Sequence, residues 1–138
     1  MLDQARINAL RGKAIPAQRL FIGGQWQNAQ SRQTLDVISP INGKVISTLA
    51  DANEADVDTA VQTARAAFKL GNWSQAAPSE RKKVMQRIAE LLQQHALELA
   101  VLGVRDNGTE ISMAFNAEPN SASNTFRYYA ESIDKVYG

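Results

Sequence analysis

The sequence contains no cysteine. That absence excludes disulfides, thiolate metal sites and iron–sulfur ligation, and it removes the cysteine nucleophile from any chemistry the chain performs. There is one histidine, His95, so no site needing two imidazoles is available. An excess of either charge is also missing: 15 Lys and Arg stand against 14 Asp and Glu, a formal net charge of +1. A balanced chain without runs of like charge offers no electrostatic case for a nucleic-acid partner or an anionic membrane surface. No segment has the length and apolarity of a membrane span. The first residues, MLDQARINALRGKAIPAQR, carry scattered charge and no apolar stretch of signal-peptide length. The expectation is a cytoplasmic protein. No G-x-G-x-x-G occurs, so no dinucleotide fingerprint is present. Gly103 and Gly108-Thr109 have the spacing of a phosphate loop, but the lysine is absent and the stretch follows a helical pattern instead of a strand.

What is present is enough for one domain with a core: 138 residues, 44% hydrophobic and 21% charged. Residues 1 to 19 read as an N-terminal arm, with a helical turn at Asp3 to Leu10. In LFIGGQWQNA, Leu20, Phe21, Ile22 and Trp26 flank Gly23-Gly24, a dipeptide suited to a tight hairpin turn. A second hairpin follows: Leu35 and Val37, then Val45, Ile46 and Leu49, with Pro40 and Asn42-Gly43 turning the chain between them. The period then becomes helical. Val57, Ala60, Val61, Ala64, Ala67 and Phe68 share a face, with Asn53 as N-cap and Gly71 as stop. Pro78 suits a first helical position, and Val84, Met85, Ile88, Leu91, Leu92, Leu99 and Leu102 form the next stripe. That run is long for a globular helix, so a bend is expected near His95. A last helix is expected from Ser121, with Ala122, Phe126, Tyr129, Ala130, Ile133 and Tyr137 aligned. The helices look able to cover a sheet, yet the sequence supplies few strands, and it ends on Gly138 directly after a helical pattern. The expectation is that further chain follows.

His95 lies near an apolar stripe with no acid or nucleophile placed beside it by sequence, which reads as a packed or capping residue. Trp26, Trp73, Phe126, Tyr128 and Tyr129 read as core packing, with Tyr129 inward and Tyr128 toward a flank; balanced charge removes the nucleic acid that stacking would need. Asp106 is the residue that asks for an explanation. It sits at a helix C-terminus, where a carboxylate faces the negative end of the dipole. Two readings stand. Asp106 is a solvated carboxylate offset by Arg105, with Asn107-Gly108 as a left-handed cap; or it is an oxygen ligand to a cation.

These stretches together resemble the N-terminal region of the aldehyde dehydrogenase superfamily. LFIGGQW is similar to its Phe-Ile-x-Gly-x-Trp hairpin, SPINGKV to its Asn-Pro-x-x-Gly turn, and NEADVDTAVQTARAAF to the acidic-capped, Ala-rich helix after it. NWSQAAPSER matches a Trp-Ser and Pro-x-x-Arg pattern, RDNGTE an Asp-Asn-Gly segment, and FRYYAESIDKVYG an Arg-Tyr-Tyr-Ala helix. The last helix is most similar to enzymes that oxidise aminoaldehydes from polyamine breakdown, the γ-glutamyl-γ-aminobutyraldehyde dehydrogenase type.

The resemblance covers residues 20 to 138. It implies an α/β parent fold, to which this chain contributes two short N-terminal β-hairpins and three or four amphipathic helices flanking a coenzyme-domain sheet. It implies an NAD(P)⁺-dependent enzyme oxidising an aldehyde to a carboxylic acid, with NAD or NADP as coenzyme. The partners implied are the remainder of such a polypeptide and further copies in a homo-oligomer. The family's catalytic cysteine, general-base glutamate and oxyanion asparagine lie past the point matching Gly138, so no catalytic or coenzyme-binding residue is assigned here and the chain alone is expected to be inactive. A non-catalytic interaction or scaffold domain is the alternative. The resemblance also implies a monovalent-cation site, Na⁺ or K⁺, formed by Asp106 and the backbone carbonyls of Val37 and Ile38. Ser39, Arg105 and Thr109 depart from the family pattern at its edges, and Arg105 keeps the solvated reading of Asp106 open.

Overall fold

The structure is a computed structural model that describes residues 3–135; Tyr137 and Gly138, used above, lie outside the described residues. The chain divides into two compact units, one comprising Ala14–Gln75 and the other the residues up to Lys13 together with those from Ala76 onward.

In the Ala14–Gln75 unit, β1 (Leu20–Ile22) and β2 (Gln25–Gln27) form an antiparallel hairpin, and β3 (Thr34–Ile38) and β4 (Val45–Ala50) form a second. Gly23 and Gly24 have φ of 63° and 80°, the positive values a two-residue hairpin turn requires. Phe21 and Trp26 stand opposite each other in the register with ring centroids 4.9 Å apart. The backbone of Gln18 adds to the β4 edge, donating to Thr48 at 2.7 Å and accepting from Ala50 at 2.9 Å. Helix α2 (Glu54–Leu70) begins in a reciprocal capping box. Asn53 Oδ1 accepts from the Asp56 N–H at 3.0 Å, and Asp56 Oδ2 accepts from the Asn53 N–H at 3.0 Å. The same carboxylate, buried, also accepts the Gln30 N–H at 3.2 Å, which ties the segment after β2 to the start of α2. Gly71, at φ 78°, ends the helix as expected.

The other unit is helical. Helix α1 (Gln4–Gly12), longer than the turn expected, is capped by the Asp3 carboxylate and buries Ile7 against α4. Helix α3 (Pro78–Gln94) starts on Pro78, and α4 (Ala96–Asn107) follows after His95 alone, so the expected bend falls at that residue. Helix α5 (Ile111–Ser132) packs along α3 and α4.

Two expectations are corrected. The last helix begins at Ile111, well before Ser121, because Glu110 caps it by accepting from the Ser112 and Met113 N–H groups. Pro119 is carried inside the helix, buried, where a sequence reader expects a break. The second correction concerns the core. Apart from Ile7 and Pro119, the buried residues of this unit are small: Ala89, Ala96, Ala100, Val101, Ala114, Ser123 and Ala130. Small side chains let α3 and α5 approach until the Ser123 hydroxyl donates to the Ala89 carbonyl at 2.9 Å. The larger residues flank these crossings, so Val84, Leu91, Leu99 and Leu102 are exposed in this chain, as are Val57, Val61 and Phe68 of α2. Trp26, Trp73, Tyr128 and Tyr129 are exposed too; Tyr129, expected inward, is 56% exposed.

Candidate functional site

Asp106 lies in the last turn of α4. Gly108, in the left-handed conformation at φ 79°, closes the helix by donating to the Val104 carbonyl at 3.0 Å, as the Asn-Gly pair suggested. Asp106 is exposed, and among the described residues it enters no salt bridge. Arg105, expected to offset it, is engaged elsewhere: its Nη1 donates to the Lys13 carbonyl at the end of α1 at 2.6 Å. The arginine thus holds the C-terminus of α1 on α4, where a cation beside the final carbonyls is favourable.

Val37 and Ile38 belong to the other unit, at the end of β3. Val37 pairs with Ser47 and Ile38 with Val45, so Ile46 has no partner opposite it and the ladder is irregular at that step. A bulge of this kind re-aims the backbone locally. The turn that follows is closed by Ser39, which is buried. Its N–H donates to the Lys44 carbonyl at 2.8 Å, its carbonyl accepts from Gly43 at 2.9 Å, and its hydroxyl accepts from Ile41 at 3.3 Å. Among the described residues no cluster of acidic or imidazole side chains is arranged to hold a metal ion.

His95 is exposed and serves the junction of α3 and α4. Its N–H donates to the Leu91 carbonyl and its carbonyl accepts from Leu99, each at 3.0 Å. Its Nδ1 lies 3.4 Å from Glu98 Oε2, while Lys13 Nζ lies 3.3 Å from Glu98 Oε1. The hydrogen bond from Lys13, with a lesser one from His95, holds the Glu98 carboxyl below its ordinary value. His95 is at once the C-cap of α3 and the N-cap of α4, in line with a capping residue.

One feature was not singled out in the sequence. The free side of α5 forms a shallow concavity of about 690 Å³, with Asn116, Asn120 and Asn124 along one edge and Tyr128 and Tyr129 at one end. The two tyrosine rings meet edge to face, 5.3 Å between centroids. The signal was legible in principle, since asparagines at spacing four share a helix face, but with the last helix expected from Ser121, Asn116 and Asn120 fell outside it.

Comparison with known proteins follows this geometry closely. The Aldehyde dehydrogenase family model matches residues 26–138. The NADP/NAD-dependent aldehyde dehydrogenase PuuC of Escherichia coli (strain K12) is 37% identical over 120 residues, 87% of this chain and 24% of that protein. Among solved structures, the γ-glutamyl-γ-aminobutyraldehyde dehydrogenase of Burkholderia cenocepacia J2315 superposes with a TM-score of 0.91 at 36% identity, covering 98% of this chain and 27% of that one. An indole-3-acetaldehyde dehydrogenase solved with NAD⁺ superposes with a TM-score of 0.93 at 36% identity, covering 99% of this chain and 28% of that one. This chain spans about a quarter of the length of the relatives it matches. The family match, the sequence identities and these superpositions agree: the chain belongs to the aldehyde dehydrogenase family, of which it represents an N-terminal portion.

Proposed function

We propose that residues 20–138 form the N-terminal portion of the coenzyme-binding domain of an NAD(P)⁺-dependent aldehyde dehydrogenase, with residues 1–19 as an arm, and that the whole enzyme oxidises an aldehyde, in particular an aminoaldehyde, to the carboxylic acid. The observation that carries this reading is the superposition of nearly the whole chain on about a quarter of enzymes with that activity. The γ-glutamyl-γ-aminobutyraldehyde dehydrogenase among them supports the aminoaldehyde class. The partner that follows is the rest of such a polypeptide, which would cover the exposed Val57, Val61 and Phe68 of α2. A cytoplasmic homo-oligomer is part of the same reading. In the described residues no helix is long and apolar enough to cross a membrane.

The reaction requires a thiolate that attacks the aldehyde, hydride transfer to the coenzyme, and a base that activates water against the thioester. This chain has no cysteine to supply the first group, so its contribution is structural. The cation ligands of the reading, Asp106 and the carbonyls of Val37 and Ile38, rest on the family resemblance. The ladder irregularity at Val37 and Ile38 and the freedom of Asp106 from salt bridges among the described residues are compatible with it.

The test follows NAD(P)H formation with a panel of aldehydes that includes aminoaldehydes, for this chain alone and for the full-length polypeptide that carries it. The chain alone is expected to give no turnover and the full-length polypeptide to reduce coenzyme. Turnover traced to the chain alone, or a folded full-length polypeptide inert toward every aldehyde with both coenzymes, overturns the proposal.

A further inference from the structure

An asparagine followed by glycine occurs twice, at Asn42-Gly43 and Asn107-Gly108. Glycine leaves its own backbone nitrogen unshielded by a side chain, so that nitrogen has ready access to the amide carbon of the preceding asparagine. The two pairs share their local geometry. Gly43 and Gly108 have φ of 67° and 79°. Each glycine N–H donates to the carbonyl four residues earlier, Ser39 at 2.9 Å and Val104 at 3.0 Å. In each pair the asparagine Oδ1 accepts the N–H two residues on, from Lys44 at 3.1 Å and Thr109 at 2.8 Å. That donor polarises the amide and faces the oxygen on which negative charge develops under attack.

They differ in what must move. Ring closure requires rotation about the asparagine Cα–C bond, which carries the chain downstream with it. After Asn107 only Gly108, Thr109 and Glu110 precede α5, a 22-residue helix packed along α3 and α4. Rotation there levers that helix from its seat. Asn42, in contrast, sits in the open end of a two-stranded hairpin whose last pair is Ile38 with Val45. Asn42 and Gly43 are both exposed, and the space where a Cβ on Gly43 would stand holds no atom within 4 Å. Closure there needs release of the turn's own hydrogen bonds, Gly43 to Ser39 and Ser39 to Lys44, and displaces no packed helix.

We propose that Asn42 is a modification site, converting in the folded chain through a succinimide to aspartate and isoaspartate. The Gly43 nitrogen gives its proton to a solvent base and bonds to Asn42 Cγ. The Cγ–Nδ2 bond breaks and Nδ2 departs as ammonia. Water then opens the ring at either carbonyl. One opening leaves an ordinary peptide bond and an aspartate side chain. The other routes the backbone through the former side chain and lengthens it by a methylene. The sum is ammonia lost and water gained, with no redox partner, and the turn acquires a negative charge.

The test incubates this chain in mildly alkaline buffer, with and without denaturing urea, and maps tryptic peptides by mass and by retention of the isoaspartyl form. Cleavage after Arg32 and Lys44 gives a peptide whose one asparagine is Asn42; cleavage after Arg105 and Arg127 gives a peptide in which fragment masses separate Asn107 from Asn116, Asn120 and Asn124. The ratio of Asn42 to Asn107 conversion in buffer is expected to exceed that in urea by at least about threefold, because both sites release their glycine hydrogen bond while Asn107 must in addition displace α5, at more than the net cost of one further hydrogen bond. Gly43→Ala is expected to slow conversion at position 42 both in buffer and in urea, where folding plays no part. A ratio in buffer equal to or below that in urea, or conversion at Asn42 undiminished by Gly43→Ala, overturns the proposal.

Discussion

Removing the Asp56 carboxylate should be the most damaging single polar change in the Ala14–Gln75 unit. Asp56 is 3% exposed and accepts two backbone donors, Gln30 and Asn53. In Asp56→Ala both N–H groups lose an acceptor, and the first turn of α2 loses a negative charge. A hydrogen bond to a charged group contributes about 1.5–3 kcal/mol, and the Gln30 bond, shared between both oxygens, belongs at the low end. The helix-dipole contribution adds about 0.3–1 kcal/mol. Water entering the vacated space recovers part of the loss, so the expected cost is about 2–4 kcal/mol. Asn53→Ala removes only the outer half of the capping box and should cost about 1 kcal/mol. Asp56→Asn should fall between the two, because its amide presents one acceptor oxygen and turns an NH₂ toward the other donor. Trp26 and Trp73 both lie in this unit, so urea unfolding followed by tryptophan fluorescence reads it directly. Asn53→Ala costing as much as Asp56→Ala would refute the reasoning, since the link to Gln30 would then contribute nothing.

Gly23→Ala should destabilise the same unit by about 1–2 kcal/mol. Gly23 has φ 63° and its added Cβ would meet Thr63 Cγ2 at 3.2 Å; a thermal midpoint equal to wild type would count against the turn assignment. Lys82 and Glu131 join α3 to α5 at 2.6 Å, and their hydrogen bond lowers the Glu131 carboxyl from 4.5 and raises the Lys82 ammonium from 10.5. The stabilisation is therefore complete between those ordinary values. It fades as pH falls through the depressed Glu131 value and again as pH rises through the raised Lys82 value. Urea midpoints of Lys82→Met should lie below wild type near neutrality and converge with it in acid; a constant gap would contradict this account. In the full-length polypeptide, Asp106→Asn should reduce the rise in melting temperature produced by K⁺ or Na⁺, since a cation that binds only the native state stabilises it by mass action. An undiminished rise would remove Asp106 from the ligand set.

Local signals in the sequence carried much of the architecture. Gly23-Gly24, Asn53, Gly71, Pro78 and Gly108 each punctuate an element where their backbone preferences place them. What failed was reasoning from bulk. Ala89, Ala100, Ser123 and Ala130 occupy the helix crossings because close approach of backbones favours small side chains, whereas hydrophobic periodicity weights Leu, Val and Tyr. Helix α5 starts ten residues before the expected Ser121, at Ile111, and Pro119 lies inside the helix because packing offsets a local cost that the sequence alone displays. Asp106, Val37 and Ile38 show the other boundary. Carbonyl oxygens leave no trace in residue identity, so family resemblance alone brought them together, while the fate of Arg105 depended on Lys13, 92 positions away.

The contact between Ser123 and Ala89 sets a direction as well as a distance. Two small residues seven apart, Ser123 and Ala130, share the buried side of α5. With the hydroxyl anchored to a backbone oxygen, the helix has one rotational setting about its long axis. Ala117, Ser121 and Tyr128, on the opposite side, are thereby aimed as a group. A bulky residue at position 89 would turn that whole row by a common angle without touching any member of it. Variation at a buried alanine on α3 is in this sense variation in what α5 presents to whatever lies beside it.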